Sequence, residues 1–247
     1  MPSDLYNCVM ESSVTTLLET YRPSSATVEL VNETPVVLLV GVSGAGKDTI
    51  KHQLLQTGRY HHIVSHTTRE PRNNGGVMEQ DGVEYHFVDR SVAVHMIEVG
   101  AFVEAKQYGT NIYGTSVAEI EQANGEGRIA LTDIEVQGVS EYKAISSKVI
   151  AIFVLPPSYE EWQRRLYARY LPGEVDPADI MKRMQTAITE LEEALEKPYY
   201  HFVINDDLNE AVHAVDSIAH NNDQFNQVDS TVRAQAEKLL EDLRQAV

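Results

Sequence analysis

The chain has 247 residues with 20 Lys and Arg against 37 Asp and Glu. Its formal charge of −17 argues against duplex or single-stranded nucleic acid as a partner, because such binding needs basic surface that releases counterions. A small phosphorylated ligand is not excluded, since one local cluster of Arg and Lys can focus positive potential inside an acidic protein. No stretch approaches the ~20 apolar residues that cross a bilayer, which argues against a membrane partner, and the single cysteine, Cys8, excludes an intrachain disulfide and a cysteine-rich zinc site.

Residues 1–34 hold one amphipathic helix, with Val9, Val14, Leu17, Leu18 and Tyr21 near helical spacing, and Arg22-Pro23-Ser24-Ser25 follows as a breaker. This stretch carries Asp4, Glu11, Glu19 and Glu29 and has no apolar h-region, so the expected compartment is the cytoplasm. It reads as an extension to a main domain over 35–220. From Val36 short apolar strands alternate with helical stretches, the pattern of a parallel sheet covered by helices. The strand candidates are Val36–Val40, Ile129–Thr132, Val149–Leu155 and Phe202–Ile204. Between the first two, a segment richer in Tyr, Thr and Gly (about 65–118) suits a small mixed-strand subdomain. After Asn221-Asn222-Asp223 a C-terminal extension (221–247) carries a helix from about Thr231, with Val232, Ala236, Leu239, Leu240, Leu243 and Val247 on one stripe. That stripe reads as packing on its own domain, with a dimer seam as the alternative, so both monomer and homodimer stay open.

Gly41-Val42-Ser43-Gly44-Ala45-Gly46-Lys47 stands directly after a strand and before the helical run Thr49–Leu55, the context of a phosphate-binding loop. Its glycines let backbone N–H groups point at phosphate oxygens, the helix presents its positive end, and Lys47 reaches the β- and γ-phosphates of ATP. Asp48 stands where a Ser or Thr hydroxyl normally ligates Mg²⁺. A carboxylate is a good hard ligand, so Asp48 is a candidate metal ligand, and Thr49 is a hydroxyl for the α-phosphate. The next segment, Ser65-His66-Thr67-Thr68-Arg69-Glu70-Pro71-Arg72, sets two guanidiniums three residues apart, a pair suited to a second anion.

With these residues the chain resembles the guanylate kinases. The resemblance continues through Asp81-Gly82-Val83-Glu84-Tyr85-His86-Phe87, Gly100-Ala101-Phe102-Val103-Glu104, Asn111-Ile112-Tyr113-Gly114-Thr115, Thr132-Asp133-Ile134-Glu135-Val136-Gln137-Gly138 and Ile204-Asn205-Asp206-Asp207-Leu208. It implies a three-layer P-loop kinase core, a small mixed-β GMP-binding subdomain and a helical lid over about 164–184. It also implies transfer of the γ-phosphoryl group of ATP to GMP or dGMP with Mg²⁺. On this resemblance Arg69, Arg72, Tyr85 and Tyr113 hold the GMP phosphate, while Ser65, Glu104, Thr115 and Glu135 read the base. Asp133 lies on the acceptor side and holds Mg²⁺ through water, Asn205 contacts the ATP side, and Arg165, Arg169 and Arg183 close over the phosphates. The chemistry agrees: guanine offers donors at N1 and N2 and an acceptor at O6, and a site with a carboxylate and hydroxyls leaves buried groups unpaired against adenine.

Four places depart from the family pattern: Asp48, the longer stretch Asn73–Met78 before Glu79, Glu135 where Asp is usual, and Tyr170-Leu171-Pro172-Gly173 after Arg169, which implies an enlarged lid. The pair His61-His62 and His86 receive no catalytic or metal role, because no metal-ligand spacing is present. Two other readings stay open: a P-loop kinase for another small phosphorylated acceptor, and a guanylate-kinase-like interaction module without catalysis.

Overall fold

The computed structural model describes residues 14–74, 76–168, 170, 175–221 and 230–247. Cys8, Val9, Arg169, Leu171-Pro172-Gly173 and Asn222-Asp223 lie outside the described residues. Residues 14–20 form helix α1, followed by α2 (Ser25–Glu33), β1 (Val36–Val40), α3 (Lys47–Gln56) and β2 (Tyr60–His62). Then come the short strands β3 (His66–Thr67), β4 (Asn73–Asn74), β5 (Val77–Met78) and β6 (His86–Phe87), helix α4 (Arg90–Glu98), and strands β7 (Phe102–Tyr108) and β8 (Asn111–Ser116). The rest alternates helix and strand: α5 (Val117–Gly125), β9 (Ile129–Asp133), α6 (Val136–Ile145), β10 (Ile150–Leu155), α7 (Tyr159–Tyr167), α8 (Pro177–Glu196), β11 (Tyr200–Ile204), α9 (Leu208–Asn221) and α10 (Ser230–Ala246).

Five of the strands form one sheet in the order β11-β10-β1-β9-β2, parallel at every pairing. β1 and β10 are buried at every residue, which is why they read as unbroken Val, Ile and Leu runs rather than as alternating ones. The fifth strand, β2, has the sequence Tyr-His-His and no apolar run, and the sequence reading does not include it. β10 begins at Ile150 and β11 at Tyr200, one residue later and two residues earlier than read from the sequence.

The segment rich in Tyr and Thr folds into a separate four-stranded mixed sheet, β6-β3-β8-β7, with its own small core of Val14, Ala93, Ile97, Phe102, Ala105 and Ile112. Glu119 of α5 joins the two bodies: Oε2 accepts the Val64 N–H at 2.9 Å, and Oε1 lies 3.0 Å from His86 Nε2. The extra residues Asn73–Met78 fold as the hairpin of β4 and β5.

Arg22-Pro23-Ser24-Ser25 ends one helix, as expected, but it also starts another. Ser24 Oγ accepts the Thr27 N–H at 3.1 Å as the N-cap of α2, which buries Thr27 and Val31. At the far end of the chain, α10 puts Ala236, Leu239, Leu240 and Leu243 into the main core beside α8, with Arg244 on Glu192 at 2.6 Å. The apolar stripe of this helix thus packs on its own domain. Among the described residues no helix is long and apolar enough to cross a membrane.

Candidate active site

The loop after β1 forms one wall of the cleft. Gly41 and Gly46 both have positive φ, and neither tolerates a side chain: a Cβ on Gly41 would lie 2.2 Å from the Val154 carbonyl oxygen, and one on Gly46 2.2 Å from Asn205 Nδ2. Asn205, at the end of β11, donates from Nδ2 to the Ala45 carbonyl at 2.8 Å, and Trp162 Nε1 donates to the Ser43 carbonyl at 2.9 Å. The loop is therefore held from two sides, and Gly41, Ser43, Gly44 and Gly46 line the cleft with Lys47 and Asp48 at the start of α3. Lys47 Nζ is folded back onto the Gly41 and Val42 carbonyls.

Asp48 is exposed on the first turn of α3. Its carboxylate lies 3.8 Å from Lys51 Nζ, and the same ammonium hydrogen-bonds Asp133 at the end of β9. Lys51 and Lys47 hold the Asp133 carboxyl below the usual carboxylate range against the opposing effect of burial. Thr49 is exposed and does not line the cleft.

Another wall of the cleft comes from the body of the mixed sheet. Arg69 is 9 % exposed and forks onto Glu79, with one N–H to Oε2 at 2.8 Å and another to Oε1 at 3.1 Å, and it donates a third to the Glu70 carbonyl at 2.7 Å. It lies over the rings of Tyr85 and Phe87 at 5.3 and 5.7 Å. Glu79 also accepts the Arg72 backbone N–H at 2.8 Å, so one carboxylate organises the whole arginine pair. Its own carboxyl is held low, chiefly by the bond from Arg69.

On β7 the period of two turns Glu104, Lys106 and Tyr108 toward the cleft. Glu104 is buried, accepts the Thr115 N–H at 3.0 Å, and has its carboxyl pushed up to about 7 by burial, with the nearby Glu141 adding to the effect. Tyr85, Tyr113 and Tyr108 stack edge to face along one wall, at 5.9 and 5.7 Å between centroids. Glu135 occupies the N-cap of α6 without capping it through its side chain, and Glu135 raises the Tyr108 phenol, which burial has already raised.

Helix α8 brings Arg183 within 3.2 Å of the Ser43 hydroxyl, where Asp179 and the Tyr170 hydroxyl hold its Nε at 2.9 and 3.0 Å. Arg165 turns away: its Nε is bound to Glu161 at 2.7 Å, and it does not line the cleft.

One cleft of about 780 Å³ has both of these walls. It brings together Gly41, Ser43, Gly44, Gly46, Lys47, Asp48, Ser65, Arg69, Arg72, Tyr85, Glu104, Tyr113, Asp133, Glu135 and Arg183. Ala45, Thr115 and Asn205 stand buried behind its walls. The sequence reading missed Lys51, Lys106, Tyr108, Asp179, Thr186 and Glu190. A signal existed for the last three, which with Arg183 repeat on one face of α8 at spacings of three and four. Burial pushes the Glu190 carboxyl up to about 7.

The donor set suits Mg²⁺ carried by a nucleotide. Among the described residues no group of three or more His, Cys, Asp or Glu could hold a metal alone. Asp48 and Asp133 both line the cleft, and one or two carboxylates are what Mg²⁺ takes when phosphates and waters complete its shell.

The guanylate kinase family model matches residues 32–222. The chain belongs to the guanylate kinase family. Guanylate kinase of Thermus thermophilus is 38% identical over 175 residues, which cover 71% of this chain and 76% of that protein. Human guanylate kinase is 37% identical over 178 residues, 71% of this chain and 87% of that protein. Guanylate kinase 1 of Oryza sativa subsp. japonica is 39% identical over 175 residues, 70% of this chain but only 44% of the rice protein. The crystal structure of guanylate kinase from Anaplasma phagocytophilum shares the fold, with a TM-score of 0.57 at 24% identity over 81% of this chain and 89% of that one.

Proposed function

We propose that this chain transfers the γ-phosphoryl group of ATP to GMP and dGMP, with ATP on the loop after β1 and the acceptor on the mixed sheet. The observation that carries this reading is the placement of Lys47 and Arg183 across one cleft from Arg69, Arg72 and the buried Glu104. Two cationic groups of sites facing each other suit two phosphates that must meet. The family match supports the same reading.

Phosphoryl transfer spreads charge over the equatorial oxygens of the moving group, so the protein acts mainly by positioning and electrostatic stabilisation. Lys47 leaves the Gly41 and Val42 carbonyls and follows the transferring group. Arg183, poised beside Ser43, completes the cage from the lid and helps exclude water. Arg165 joins only if Glu161 releases it. Arg69 and Arg72 hold the acceptor phosphate, Tyr85 and Tyr113 close around it, and Glu104 with Ser65 and Glu135 reads the guanine edge. Mg²⁺, when bound, neutralises charge on the β- and γ-phosphates, and Asp48 and Asp133 are the residues that would hold it.

The retention of Lys47, Arg69, Arg72 and Arg183 in the cleft counts against an interaction module without catalysis. The decisive experiment is an ADP-release assay with ATP, Mg²⁺ and each nucleoside monophosphate in turn. GMP and dGMP should be turned over, and AMP, CMP and UMP should be poor acceptors. Equal turnover of AMP would overturn the assignment of the base site.

A further inference from the structure

Residues 14–31 precede the segment that matches the family model, yet they pack into the cores of both bodies that form the cleft. On α1, Val14 is buried in the small core of the acceptor subdomain, and Leu17, Leu18 and Tyr21 pack against it. The Tyr21 hydroxyl does two things at once. It donates to the Phe102 carbonyl and accepts the Phe102 N–H at 3.2 Å.

The position of that contact matters because β7 is an edge strand of its sheet. Edge strands leave one row of backbone groups without a ladder partner, and they hold their register less firmly. The pairing of β7 with β8 also shifts between Phe102 and Glu104, a bulge that re-aims the side chain after it. The first side chain beyond the bulge on this register is Glu104. Tyr21 therefore fixes the backbone at the point from which the base-facing carboxylate is aimed.

Ser24, only three residues later, caps α2, and α2 is fastened to the other body. Val31 is fully buried in the main core, Ser146 Oγ donates to Asn32 Oδ1 at 2.7 Å, and Lys148 Nζ donates to the Asn32 carbonyl at 3.2 Å. The link between the two attachments is Arg22-Pro23, short and stiffened by proline, so it transmits position rather than absorbing it. Donor residues lie on the main sheet and acceptor residues on the small one. The distance between the two nucleotides depends on how these bodies sit, and a strap across them acts on that distance.

We propose that residues 14–33 are a strap that sets the acceptor subdomain against the core, and that Tyr21 is a positioning residue for Glu104. The proposal rests on the assignment of Glu104 to the guanine base. Tyr21→Phe keeps the ring in its packing and removes only the hydroxyl, so the full-length variant should fold. Two measurements test it. Calorimetric titration should show GMP binding weakened about five- to tenfold with ATP binding unchanged, as expected for losing hydrogen bonds of ordinary strength. Amide exchange should speed up at Phe102–Ala105 of β7 while β1 and β10 keep their protection. A second full-length variant, Leu18→Asp, should release α1 from the subdomain and give the same pattern more strongly.

Equal GMP affinity in Tyr21→Phe and the native protein, with β7 exchange unchanged, would overturn the proposal. So would equal weakening of GMP and ATP, which a merely structural role produces. Failure of the native protein to bind GMP would instead remove the base assignment, and β7 exchange would still decide whether the strap holds that strand.

Discussion

Glu104 accepts the Thr115 N–H at 3.0 Å across the pair of strands that forms the acceptor wall, and it does so with only 8 % of its surface exposed. One backbone hydrogen bond does not replace the hydration that a carboxylate loses on burial, so the protonated form is favoured and the carboxyl titrates near 7. On the proposed assignment of Glu104 to the guanine base, the ionised form is the one that would accept from N1 and N2.

A pH dependence follows. The Glu104 carboxyl is raised above its ordinary value of 4.5, so native protein binds more protons than the unfolded chain between about 4.5 and 7. Its contribution to stability falls as pH rises through that window and is fully lost above it. Binding of GMP should weaken as pH drops below about 7, and in Glu104→Gln that dependence should flatten. The same variant should bind GMP at least tenfold more weakly at pH 8 while its thermal midpoint rises. Calorimetric GMP titrations from pH 5.5 to 8.5, with melting curves at both ends, check this. A lower midpoint at pH 8 would contradict the electrostatic account.

Lys47→Ala should lower the turnover rate by a factor of about 10² or more, the scale seen for a removed transition-state donor. The thermal midpoint should move little, because Lys47 Nζ bonds to the Gly41 and Val42 carbonyls of a loop that Asn205 and Trp162 already hold. A near-normal rate in a folded variant would place the transferring phosphoryl elsewhere.

Glu79 should act on GMP through Arg69. Arg69→Ala is expected to weaken GMP binding and leave ATP binding nearly unchanged, since Arg69 follows β3 of the small sheet and is held by Glu79, Glu70 and the rings of Tyr85 and Phe87 rather than by the loop after β1. Glu79→Gln should do the same to a lesser degree, because it frees the guanidinium from one fixed orientation. The double variant should lose less than the sum, as for residues that act as a unit. Titration of each nucleotide against the four proteins decides it, and additive losses would mean that Glu79 acts on its own.

How far the sequence reveals this depends on which forces leave a local trace. The central strands do, because burial on both faces demands runs such as Val36–Val40 and Ile150–Leu155. β2 does not, since its Tyr60-His61-His62 carries no apolar run. Helix α2 is obscured by a capping serine that resembles a breaker, and Ser24 serves as both. The phosphate loop is legible because its backbone geometry requires glycine at fixed places. The ion pairs are not: Lys51 meets Asp133 from 82 positions away, and nothing local in either segment announces the other. Even Arg69 and Glu79, ten positions apart, meet only because the hairpin Asn73–Met78 folds between them.

The last prediction concerns Asp48, where a carboxylate replaces the usual hydroxyl at the start of α3. Its position is favourable without nucleotide, because an acidic group in the first turn complements the helix dipole. On the proposed placement of ATP, the same charge would face the β- and γ-phosphates and be repulsive unless a divalent cation lay between them. Lys51 moderates the effect but does not cancel it, since its ammonium is 3.8 Å from Asp48 and is bonded directly to Asp133. Two carboxylates therefore share Lys51. ATP affinity should rise more steeply with added Mg²⁺ in the native protein than in Asp48→Ser, and without metal the serine form should bind ATP more tightly. Asp48→Ser should stay active, because serine restores a hydroxyl ligand. Calorimetric ATP titration with Mg²⁺ and with a chelator measures the difference directly. Identical metal dependence in the two proteins would place Asp48 outside the metal shell, and loss of activity in the serine form would assign its carboxylate a part in transfer itself.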